Sequence, residues 1–192
     1  MSNQDSQVVV AFDFTHSGHE ALSRALALVK RAPNHVLHFA CVLEPHMPNP
    51  AVPTKGPVDY RYAELVQDAL ANLLASEFQA ADVADKVHFF VHVRIGKPAD
   101  EILNLAREVG ADLIVIGTKG LTGVEHFVLG SVAEKVVREA GCAVVVARAK
   151  KYDYVPRLEI KEVTPHGHYV PPHRYQYEDH RIETRPADFP LY

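Results

Sequence analysis

Apolar positions fall into two kinds of run along this chain. Short, unbroken, β-branched runs occur at Val8–Phe12, Val36–Leu43, Val87–Val93, Ala111–Ile116 and Ala143–Ala147. They lack strict in–out alternation, as strands covered on both faces do. Between them, apolar residues recur at helical spacing. Ser17–Arg31 carries Ala21, Leu22, Ala25, Leu26 and Val29, with Thr15 or Ser17 as its cap. Tyr62–Ala81 places Leu65, Ala69, Leu73 and Phe78 on or near one face. Pro98 suits the first position of a third helix ending near Val109-Gly110. Ser131–Ala140 forms the last helix, stopped by Gly141. Glu44–Val58 holds five prolines and reads as an extended connection, a lid or an inert detour.

Strands alternating with helices predict an α/β fold: a parallel sheet with helices on both faces. In such sheets ligands sit beyond the strand C-termini, where helices switch faces. The first strand ends in Asp13-Phe14-Thr15 and the fourth in Ile116-Gly117. If these strands are neighbours, both ends meet at one crevice.

With 192 residues, 47% of them hydrophobic, the chain can bury a substantial core. Residues 1–150 read as one domain. The chain's net charge of −4 gives no general attraction to nucleic acid or anionic membranes, so neither is an expected partner. No apolar run is long enough to span a bilayer. The polar start Met1–Gln7 lacks a signal-peptide pattern, and Cys41 and Cys142 lie in strand-like runs. A cytoplasmic protein with two buried, reduced thiols is expected.

The chemistry concentrates at Gly117-Thr118-Lys119-Gly120, followed by nine residues and then Gly130-Ser131. This glycine-rich stretch leaves a strand and enters a helix. Backbone N–H groups there can surround a phosphate, and glycine permits close approach. No Lys follows the final glycine, so this is not a P-loop. No nucleophile–base–orienter set can be read from the spacing, and no catalytic or metal-ligating residue is assigned.

The pattern Gly-x-x-Gly-x9-Gly-Ser resembles the nucleotide-binding motif of the universal stress protein family, ATP-binding type. The likeness extends to Val9–Thr15, Gly110–Gly117 and Leu129–Val136, and covers Gln7 to about Arg148. It implies a single open, Rossmann-like, five-stranded parallel sheet in the order 3-2-1-4-5. It implies a homodimer paired through the last strand, Ala143–Ala147. The implied ligand is ATP, with ADP or AMP as alternatives, carrying Mg²⁺. By resemblance Asp13, with Phe14 and Thr15, lies beside the nucleotide. The backbone of Val42 meets adenine, and Ile116, Gly117 and Gly120 border ribose and phosphates. Gly130, Ser131 and Val132 present N–H groups to phosphate. Lys119 either neutralises phosphate charge or is a solvated loop residue. Asp13 and Ser131 have capping roles as their alternatives, and Thr15 either caps a helix, helps Asp13 or holds a metal. Where many relatives carry basic residues, this chain has Leu121, Glu125 and His126, which weakens charge compensation.

Beyond Lys150 the composition changes. Six of eight tyrosines, six prolines and four histidines lie between Tyr152 and Tyr192. This stretch, 151–192, reads as a tail that docks at the dimer or on a protein partner. Its His166, His168, His173 and His180 lack ligand spacing and read as scattered rather than as a metal site. Three functions follow. The first is a nucleotide-dependent stress-response regulator. The others are an assembly protein led by its tail and a slow ATPase.

Overall fold

A computed structural model describes residues 5–31, 34–120 and 129–149. The tail and the Leu121, Glu125 and His126 departures lie outside the described residues. The elements are β1 (Ser6–Ala11), α1 (His16–Arg31), β2 (His35–Leu43), α2 (Tyr60–Ala80), β3 (His88–Ile95), α3 (Pro98–Glu108), β4 (Leu113–Gly117), α4 (Ser131–Glu139) and β5 (Ala143–Ala147). All four strand pairings are parallel, in the order β3-β2-β1-β4-β5. This is the open, Rossmann-like α/β sheet expected from the sequence.

Alternate residues of the central strand feed two cores. Val8, Val10 and Phe12 face α1 and α2, whereas Val9 and Ala11 face α3 and α4. Burial on both faces explains the absence of alternation in the strand sequences.

The capping chemistry is local. The Thr15 hydroxyl accepts the Gly18 N–H at 3.2 Å, so Thr15 rather than Ser17 caps α1. Asp59 caps α2 by accepting the Tyr62 N–H at 3.0 Å, which starts that helix earlier than its apolar pattern. Helix α3 closes with Ala111 N–H on Ala106 C=O (2.8 Å) and Gly110 at φ 63°. That left-handed turn requires little of glycine and much of any other residue.

Three expectations are corrected. The buried row of α2 is Tyr62, Val66, Leu70, Leu74 and Phe78, while Leu65 is 59% exposed. Two adjacent rows of α2 are apolar, and the row continued by Tyr62 and Phe78 over the full helix wins the core. Cys142 is only half-buried. Helix α4 ends at Glu139 because Ala140 already turns extended (ψ 137°), not through a left-handed Gly141.

On the α3 side of the sheet, His38 is buried and shares a hydrogen bond with His92 (3.1 Å). Its other ring nitrogen meets Gln7 Oε1 at 2.9 Å, and Phe90 stacks on the ring. Gln7 Oε1 can only accept, so His38 Nε2 carries the proton and His92 donates to His38 Nδ1. Burial, then mutual repulsion with His92, lowers the His38 pKa. Burial and Arg94 lower that of His92, against a smaller raising effect of Glu108. Below the ordinary value of 6.5 the unfolded rings take up protons that the folded pair resists. Stability should therefore be full above about pH 6.5 and fall with pH until the folded pair titrates. Thermal melts between pH 7.5 and 5 check this. A His38→Leu variant should lose less stability than wild type over that range, and an equal loss would contradict the assignment.

Candidate functional site

The C-terminal ends of β1 and β4 lie side by side, with β2 on the far side of β1. Helix α1 leaves toward one face and α4 enters on the other. A cleft of about 910 Å³, counting its open mouth, forms at this switch point. Its floor is Ala11, Phe12, Ala40 and Ile116. Val42–Glu44 and Asn49 wall one side, and Thr118–Gly120 with Gly130–Ala133 wall the other.

Asp13 sits at the centre of the cleft. Its Oδ1 accepts the Thr15 N–H at 3.0 Å and the Thr15 hydroxyl at 2.5 Å. Its C=O accepts the Asn49 side-chain amide at 3.1 Å. Between Asp13 and Thr15, Phe14 takes φ 64°, a left-handed conformation costing about 1–2 kcal/mol for a residue with Cβ. The Phe14 ring packs edge-on against Phe12 at 5.2 Å, which holds the turn in place.

The glycine stretch is anchored to α1. Lys119 N–H donates to Ser17 Oγ at 3.0 Å, and Gly130 N–H donates to Thr118 C=O at 2.8 Å. A Cβ on Gly117 would lie 2.4 Å from Ser17 C=O. Glycine at 117 thus allows β4 to pass close to the α1 backbone, a packing need as strong as any ligand's. Among the described residues a Cβ on Gly120 would meet only Asp13 Oδ2, at an ordinary 3.5 Å. At the start of α4, the first helical bond runs from Glu134 to Gly130. The N–H groups of Ser131 and Val132 therefore have no helical acceptor.

Nine residues expected at the site line the cleft: Asp13, Val42, Ile116, Gly117, Lys119, Gly120, Gly130, Ser131 and Val132. Phe14 and Thr15 are not among its lining residues; Phe14 supports the turn and Thr15 caps α1.

The sequence reading missed Asn49. It is 2% exposed and closes a network with Tyr62, whose hydroxyl accepts the Asn49 N–H at 2.7 Å and donates to Val52 C=O at 2.8 Å. Burial raises the phenol pKa, opposed by its hydrogen bond with Asn49. The proline-rich connection is thus a wall pinned to α2 and to β1. The lone Asn-Pro-Ala and a distant Tyr gave no local signal of this.

Cys41 is fully buried beneath the site, and burial, with Asp13 nearby, pushes its pKa up to about 12. It is a packing residue without nucleophilic character. Among the described residues no three His, Cys, Asp or Glu side chains gather as metal ligands. No helix among them is long and apolar enough to cross a membrane.

Comparison with known proteins agrees with this architecture. Residues 6–148 match the universal stress protein family. A universal stress protein of Methanocaldococcus jannaschii is 31% identical over 149 residues, covering 78% of this chain and 85% of that one. The structure of universal stress protein UspA from Lactobacillus plantarum superposes with a TM-score of 0.58 at 23% identity, covering 76% of this chain and 99% of that one. A crystal structure of a universal stress protein in complex with cAMP does so with a TM-score of 0.51 at 26% identity, covering 75% and 97%. With the matched region spanning every described strand and helix, the chain belongs to the universal stress protein family.

Proposed function

We propose that this protein binds an adenine nucleotide in the cleft and that occupancy acts as a signal in a stress response. The observation that carries the reading is the cleft itself. An apolar floor, the Asp13 carboxylate and the free N–H groups opening α4 converge at one switch point. The relative solved with cAMP supports the ligand class. ATP is the ligand expected from the motif, and Mg²⁺ would arrive on its phosphates, keeping several waters rather than needing an all-protein cage. Asp13 suits the hydroxyl- or amine-bearing end of the ligand, because an acceptor carboxylate repels phosphate. For a regulatory output the nucleotide must bind one of two protein states more tightly.

A Gly120→Leu variant tests the site. Among the described residues the new Cβ meets Asp13 Oδ2 at an ordinary 3.5 Å. Isothermal titration should show saturable adenine-nucleotide binding by wild type and at least a tenfold loss in the variant, with little change in melting temperature. Unaltered affinity in the variant would place the ligand elsewhere.

We further propose that the protein dimerises through β5. This short apolar strand ends the sheet, and among the described residues its outer edge has no partner strand. Sedimentation at increasing concentration should show a species of twice the chain mass; a monomer throughout would exclude that pairing. The tail, residues 151–192, is proposed to dock on this assembly or on a protein partner.

A further inference from the structure

The cleft is poorly supplied with positive charge. Among the described residues that line it, Lys119 is the single cation, against the carboxylates of Asp13 and Glu44. The connecting stretch offers no reinforcement: Gly120 to Glu134 contains no Lys or Arg and adds Glu125 and Glu134. The next cation along α4, Lys135, is engaged by Asp100 and lies 3.9 Å from Glu139. Arg138 is paired with Glu134 and Glu139, both at 3.3 Å.

What remains for an anion is Lys119 together with the start of α4, whose dipole supplies about half a positive charge. That total of roughly one and a half charges suits a single phosphate, which carries about 1.5 to 2 negative charges as a monoester and about one as a cyclic diester at neutral pH. A triphosphate adds two ionised groups. Among the described residues no second cation lines the cleft to compensate them, so the added negative charge lowers affinity.

We propose that the preferred ligand of the cleft is an adenine nucleotide with a single phosphate, open-chain or cyclic, rather than ATP. This rests on the reading that the cleft holds an adenine nucleotide. Lys119 and the Ser131 and Val132 N–H groups hold the one phosphate.

The test is isothermal titration of the nucleotide-stripped full chain with AMP, cyclic AMP, ATP and adenosine, each with and without Mg²⁺. AMP or cyclic AMP should bind at least tenfold more tightly than Mg²⁺-free ATP, with adenosine weaker than the better of the two. Mg²⁺ should strengthen ATP and leave the others unchanged. Lys119→Gln should weaken the monophosphate about tenfold and leave adenosine unaffected. ATP binding as tightly as the better of AMP and cyclic AMP, with or without Mg²⁺, would overturn the proposal while leaving the nucleotide reading intact. Binding of none of the four would overturn both.

Discussion

A Gly117→Ala variant is expected to lose about 3 kcal/mol of stability, a drop of roughly 6–12 °C in melting temperature for a domain this size. The methyl group would sit 2.4 Å from Ser17 C=O and 2.7 Å from Ser17 Cβ. Neither neighbour is the free end of a flexible side chain, so the start of α1 or the end of β4 must move. That movement would disturb the Lys119 N–H to Ser17 Oγ bond and, through it, the loop facing the cleft. Differential scanning calorimetry decides the matter: a shift under two degrees would mean the close approach is easily relaxed. Binding defects in any Gly117 variant consequently mix folding with recognition, whereas Gly120 separates them.

The second large effect concerns Tyr62. Tyr62→Phe removes one hydroxyl and leaves the Asn49 N–H and the Val52 C=O without their partner. Asn49 is almost wholly buried, so water cannot readily replace the bond. A loss of about 1–3 kcal/mol is expected in urea denaturation. The ring stays, so the α2 core should remain packed, and the damage should concentrate in the wall between β2 and α2. Hydrogen exchange should accelerate at the Asn49 amide well before the amides of β1. If it does not, the hydroxyl is not what pins the wall.

These two predictions mark where sequence reading succeeded and where it stopped. The glycine stretch was legible because strand, turn and helix start are consecutive, so local spacing alone reports their geometry. The strands were legible because burial on both faces leaves an uninterrupted β-branched run. The reason for Gly117 was not legible, since the atoms that demand it belong to Ser17, far back in the chain. The same holds for Asn49, whose partners Tyr62 and Asp13 come from distant segments, while Ala51 and Val52 are its neighbours. In α2 the row beginning at Leu65 and the row beginning at Val66 are both apolar, and only the sheet beneath selects between them.

The turn at Phe14 has a consequence for how quickly a ligand is captured. Its backbone is held by the Phe12 contact, the Thr15 bonds and the Asn49 amide, all made by the protein itself. A site shaped in advance loses little motional freedom on filling, and encounter need not wait for a slow rearrangement. Stopped-flow association rates should therefore rise linearly with ligand concentration. The strain held at one aromatic residue would then appear as speed of response.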